Sequence, residues 1–140
     1  MKKYLALAAA LALAGCATQP PGQFSSVPAP IAASLAAASS DFLAATFPPA
    51  HTKMVLAQPT DAYGLALTGD LRKAGFAVDD TATAQALTVK ADTLGYVAQA
   101  STSGLVTVLL RYDAKTYGRA FNVDGGNVIP VGAWSVRGQP

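Results

Sequence analysis

The chain has 140 residues, and ten Lys and Arg against eight Asp and Glu give it a formal net charge of +2. Two of those cations, Lys2 and Lys3, lie in a leader expected to be removed, which leaves eight basic and eight acidic side chains. A mature chain of zero net charge excludes a general electrostatic grip on nucleic acid. One cysteine and one histidine exclude an internal disulfide and a multi-His metal site.

The leader is read first. Lys2 and Lys3 precede an apolar run from Tyr4 to Ala14, then small residues and the lone cysteine, Cys16. Basic, apolar and small segments in that order make a secretory signal. Leu13, Ala14 and Gly15 directly before Cys16 make it the lipobox of a bacterial lipoprotein, in which the thiol takes a diacylglyceryl group before cleavage and the freed amine takes an acyl chain. The apolar run does not suit a spanning helix: eleven residues give roughly 16 Å, about half a hydrocarbon core. An ordinary signal peptide with a coincidental cysteine, or a buried cytosolic helix, would leave that placement of Cys16 unexplained. Residue 17 is Ala and not Asp, the familiar inner-membrane retention signal, so the expected address is the outer membrane, facing the periplasm. Residues 1–15 are thus expected to be the signal peptide, 16–30 the lipid anchor and linker, and 31–140 a small α+β domain.

Residues 17–30 carry four prolines and no charge, which predicts a semi-rigid spacer of up to roughly 40 Å. Phe24 and Val27 are unusual in a spacer and are candidate interface residues. From Ile31 to Thr46 the positions Ile31, Leu35, Ala38, Phe42 and Ala45 predict a helix that Pro48-Pro49 ends. A strand follows at Lys53–Ala57. Thr60 or Asp61 is a candidate N-cap for a second helix whose buried face is Tyr63, Leu67, Leu71 and Ala74, with Gly75 closing it.

Beyond Gly75 the period changes to two. Strands are expected from Phe76 and Val78, over Leu87–Asp92, and over Leu105–Tyr112. The last is apolar on both faces until Arg111 and so is expected to be central. Tyr117, Arg119, Phe121 and Val123 alternate, Asp124-Gly125-Gly126-Asn127 predicts a hairpin turn, and Val128–Val136 carries Pro130, which suits an edge or a bulge. Helix, strand, helix and then about five strands predict an α+β fold, with two helices packed on one face of a mostly antiparallel sheet of five to six strands. Trp134 is either a core residue or an interface anchor.

The catalytic inventory is thin. His51 sits in a loop after Pro48-Pro49-Ala50, no G-x-S-x-G elbow occurs, and Asp79-Asp80 reads as a turn. Gly125-Gly126 precedes a strand, so it is no phosphate loop. No catalytic residue, metal or cofactor is assigned; the only added groups expected are the lipids on Cys16. The low-charge, Ala-rich mature chain suggests burial in an assembly.

Five stretches together resemble a known family. They are Gly22-Gln23-Phe24 after the lipobox; Phe47-Pro48-Pro49-Ala50-His51-Thr52; Leu56-Ala57-Gln58-Pro59; Leu71-Arg72-Lys73-Ala74-Gly75-Phe76-Ala77-Val78; and Pro130-Val131-Gly132-Ala133-Trp134-Ser135-Val136-Arg137. Their order and spacing resemble the TrbH family of conjugal transfer lipoproteins. The resemblance implies a part of a type IV secretion system's mating-pair formation apparatus, similar in role to the small lipoprotein that fixes a pore-forming subunit in the outer membrane. It implies channel subunits in a multi-copy ring as partners, and carries over only Cys16 as a functional position. Two other classes compete: a pilotin- or chaperone-like binding module of another outer-membrane machine, and a periplasmic enzyme.

Overall fold

A computed structural model describes residues 23–138. The signal segment, the lipobox Leu13-Ala14-Gly15-Cys16 and the linker as far as Gly22 lie outside the described residues. Among those described, no helix is long and apolar enough to cross a membrane.

Helix α1 spans Ala29–Thr46. Pro28 precedes it and Pro30 falls in its first turn, where a missing N–H costs nothing. It ends as Phe47 donates to the Leu43 carbonyl (2.8 Å) and the chain meets Pro48-Pro49. The buried face is broad and partly small: Ile31, Ala32, Leu35, Ala36, Ser39, Ser40 and Leu43. Those small side chains let helix α2, Ala62–Ala74, approach closely. Asp61 caps α2 by accepting from the Gly64 N–H (2.7 Å). Gly75, at φ +101°, closes it in a Schellman motif, with its own N–H bonded to Arg72 and that of Phe76 to Leu71. Polar groups inside the helix pair are satisfied: Tyr63 donates to Ser39 Oγ (2.8 Å), which donates to the Leu35 carbonyl (2.8 Å), and the buried Thr68 hydroxyl donates to the Gly64 carbonyl (2.7 Å).

The main sheet has five strands: β1 (Gln23–Ser25), β4 (Gly95–Ala100), β5 (Leu105–Tyr112), β6 (Lys115–Asp124) and β7 (Asn127–Gly138), in that spatial order. All neighbours are antiparallel except β1 and β4. Strands β2 (Lys53–Ala57) and β3 (Ala77–Ala82), joined through α2, form a separate parallel pair. Val55 ties that pair to the main sheet by accepting from Leu94 and donating to Asp92, each at 2.8 Å. The α+β class and the central place of β5 stand as read from the sequence.

Three expectations are corrected. Residues Leu87–Asp92 do not form a strand; Val89 is half exposed there. Threonines at each end of this stretch capture its backbone locally: Thr83 accepts from Ala86 and Leu87, and Thr93 Oγ1 accepts from Lys90 N–H. The strand lies just beyond, at Gly95–Ala100. Asp79-Asp80 is no turn but the middle of β3, where Asp80 pairs with Arg72 at 2.7 Å. Thr81 donates hydroxyl and backbone N–H to Asp79, which holds that carboxyl below its ordinary range. Finally, residues 23–25, read as spacer, are a strand that covers the open edge of β4, and Val27 is buried behind it.

At the other edge, Gly125 (φ +56°) and Gly126 (φ +85°) make the predicted two-residue hairpin turn, both in the left-handed region that such turns require. Strand β7 is indeed an edge, and it is bulged. Gly118 pairs with Ser135 but Ala120 with Val131, so three residues of β7 oppose Arg119 alone. Arg119 fills the bulge by donating Nε to the Gly132 carbonyl (2.9 Å).

Between the helices and the sheet lies one core, with Leu35, Leu43, Tyr63, Leu67, Tyr96, Val108, Leu110 and Phe121 at its centre. Burial raises the Tyr63 hydroxyl far above its ordinary pKa of 10.0, outweighing the opposing hydrogen bond to Ser39. Burial, then the hydrogen bond to Asp61, raises Tyr96 likewise. Because the folded values lie above the unfolded ones, these neutral phenols contribute stability that is complete below about pH 10 and lost as pH rises beyond it. The urea midpoint of the mature chain should therefore stay flat through about pH 9 and fall above 10. In a Tyr112→Phe, Tyr117→Phe background, where Tyr63 and Tyr96 are the tyrosines left in the mature chain, tyrosinate absorbance should rise only with unfolding. Its appearance near pH 10 in a folded chain would contradict this packing.

Candidate functional site

The inner face of the sheet is spent on the core, whereas the outer face has no partner among the described residues. Along β5 the alternation is strict: Val106, Val108, Leu110 and Tyr112 are buried, and Leu105, Thr107, Leu109 and Arg111 are exposed. Register carries this pattern across the sheet. Phe24, Val97, Leu109, Gly118 and Ser135 form one row, and Gln99, Thr107, Ala120 and Val131 the next. Leu105, Asn122 and Ile129 form a third.

Five of the eight large exposed hydrophobic side chains fall on this one face: Phe24, Leu105, Leu109, Ile129 and Val131, each 40–53% exposed. Scattered exposed apolar residues need no explanation; a contiguous group on one surface marks a contact site. Gly118 keeps the middle flat. A Cβ there would come within 2.9 Å of Leu109 Cδ2 and 3.2 Å of Ser135 Oγ, so the Leu109 side chain lies across the glycine. Charge is kept to the ends of the face. Arg111 and Arg137 share a row with Gly95 and Thr116, and Asp124 stands at the hairpin end.

The residues singled out from the sequence separate on this frame. Phe24 stands on the open face, 53% exposed. Val27 is 8% exposed and belongs to the chain's own core, so it offers no contact to another protein. Trp134 turns inward through the β7 bulge and stacks on Phe42 (centroids 4.4 Å apart, 18° between planes). It reads as a core residue at the rim, partly exposed, rather than a free anchor. Cys16, Leu13, Ala14 and Gly15 lie outside the described residues.

His51 is exposed at the end of a single 3₁₀ turn, Pro49–His51. Among the described residues no group of three or more His, Cys, Asp or Glu could hold a metal ion. A polar cleft beside β1 is lined by Gln23, Gln58, Thr60, Asp61, Gln85 and Tyr96. Its carboxylate is already engaged: Asp61 Oδ1 caps α2, and Oδ2 accepts from the Tyr96 hydroxyl at 2.6 Å. That is a structural arrangement, with no oxygen left to act as a base.

Sequence reasoning missed Leu105, Leu109, Ile129 and Val131 as site residues. Their signal was present in the doubly apolar pattern of Leu105–Tyr112, which suited a strand covered on both sides. One of those sides is open.

A family model for the conjugal transfer protein TrbH matches residues 18–138. No curated protein and no solved structure gives a significant match.

Proposed function

The chain belongs to the TrbH family of conjugal transfer proteins, and from that premise we propose that it is an outer-membrane lipoprotein of a conjugative type IV secretion apparatus. Cys16 carries the acyl chains, and the α+β domain faces the periplasm and holds channel subunits at the membrane, in several copies around the pore. It is a structural part of the machine and not an enzyme.

The observation that carries the reading is the open sheet face around Leu109 and Val131. It is apolar in the middle and polar at both ends, the anatomy of a protein–protein contact. A membrane anchor would concentrate that face beside its partner.

The double variant Leu109→Asp, Val131→Asp tests it. Both side chains are 40–49% exposed, so the fold should tolerate the change. Two unpaired carboxylates buried against a partner would be costly, and donor conjugation frequency should fall at least about tenfold. Channel subunits should no longer copurify with the lipoprotein. A variant that is stable, stays in the membrane and conjugates at the wild-type frequency would refute the assignment of this face.

A further inference from the structure

We propose that the end of the sheet carrying Arg111, Lys115 and Arg137 rests on an anionic phospholipid surface, as a second contact with the membrane into which Cys16 is anchored. This rests on the lipoprotein reading above.

The first observation is where the chain leaves the fold. Strand β1 runs parallel to β4, with Gln23 beside Tyr96 and Ser25 beside Ala98. The chain before Gln23 therefore departs from the end of the sheet at which β4 begins, β5 ends and β6 begins. Because Gln23 is already part of the sheet, only residues 17–22 separate the domain from Cys16. Six residues reach at most about 20 Å, half the reach that the whole proline-rich stretch would have given. The domain is held near the headgroups, with that end of the sheet towards them.

The second observation is charge. Arg111 and Arg137 share the row nearest this end, and Lys115 lies one residue beyond, opposite Tyr112. Lys90 lines the same cleft as Arg111, and Lys53 starts β2 here, its carbonyl accepting from the Tyr112 hydroxyl (3.0 Å). All five cations are exposed. The carboxylates around them are Asp92 and Asp113, with Asp79 acting on Lys53. Among the described residues the ion pairs are Arg72–Asp80 and Lys73–Asp70, so none of the five cations is in an ion pair there, and against Asp79, Asp92 and Asp113 they leave a surplus of two positive charges. The opposite end of the sheet holds Ser101, Ser103 and Asp124 and none of these cations. A mature chain of zero net charge is thus polarised along its strands, with its surplus of positive charge where the tether emerges. Cations at a membrane surface are attracted by anionic headgroups within about a Debye length, roughly 8 Å at physiological salt.

The experiment uses the acylated full-length protein reconstituted into vesicles of phosphatidylcholine alone or with added phosphatidylglycerol. Flotation with both kinds of vesicle reports the anchor. Amide hydrogen exchange in the turn around residues 111–116 reports the docking. Exchange there should slow at least about fivefold on the phosphatidylglycerol vesicles. The protection should disappear in about 0.5 M salt and in the triple variant Arg111→Glu, Lys115→Glu, Arg137→Glu. A chain that floats with both vesicles but exchanges identically on each overturns the docking and leaves the anchor standing. Protection that is the same on both lipids and indifferent to salt, as a contact without charge attraction would give, also overturns it. A chain that floats with neither overturns both readings.

Discussion

Cys16→Ser should release the protein from the membrane and lower conjugation roughly hundredfold, by removing the tether that concentrates the domain beside its partners. A hydroxyl does not take the place of the thiol that forms the thioether to diacylglycerol, and without that step the amine is not exposed for its own acyl chain. The energetic loss is large. Each buried methylene is worth about 0.8 kcal/mol; one chain binds reversibly and two hold firmly. The wild type would carry three. The basic end of the sheet offers only a screened electrostatic contact, which cannot replace them. The effect should therefore exceed that of the triple charge reversal, and the two should be separable: Cys16→Ser loses metabolic labelling with palmitate, and the charge variant keeps it. Membrane fractionation, palmitate labelling and mating frequency are the measurements. Wild-type transfer by an unlabelled chain in the soluble fraction would show that the anchor is not what this domain contributes.

Much of the fold was legible because its signals are local. Asp61 and Gly75 bracket α2, Pro48-Pro49 ends α1, and Gly125-Gly126 sets the β6–β7 turn; each acts on backbone within a few residues. What escaped is non-local. Gln23–Ser25 is a strand only because Tyr96–Ala98, more than seventy residues away, offers an open edge. Composition there reads as spacer, and pairing overrides it. Leu87–Asp92 shows the reverse: a sound alternation that finds no neighbour and yields to hydrogen bonds that Thr83 and Thr93 accept. The candidate site follows the same division. Phe24 was singled out for being apolar in a linker, and it does face outward, though from the sheet. Leu109 and Val131 could not be assigned to an open face without knowing that the helices cover only the other side. Trp134 needed the bulge opposite Arg119; Pro130 and Gly132 mark β7 as an edge or a bulge, but neither says that the bulge turns Trp134 inward.

Gly64→Ala should destabilise the domain by about 2–4 kcal/mol, although the same substitution one turn and a half later should stabilise it. In a helix interior, Ala is favoured over Gly by roughly 1 kcal/mol. At Gly69 nothing lies within 4 Å of an added Cβ, so Gly69→Ala should realise most of that gain. Gly64 is different because Tyr96 passes directly over it to reach Asp61. An added methyl would overlap the Tyr96 hydroxyl outright and stand 2.8 Å from Pro59 Cβ. Either Tyr96 withdraws, giving up its 2.6 Å hydrogen bond to Asp61 and its edge contact with Tyr63, or α2 moves off its cap. Overpacking costs about 1–3 kcal/mol and a lost hydrogen bond to a charged group about 1.5–3, which together exceed the propensity gain. Urea unfolding of the two single variants should therefore give midpoint shifts of opposite sign. Tyr96→Phe supplies the decisive cycle: without the hydroxyl, Gly64→Ala should cost distinctly less than it does in the wild type. Equal costs in the two backgrounds would mean that the Tyr96 contact is not what excludes a side chain at residue 64.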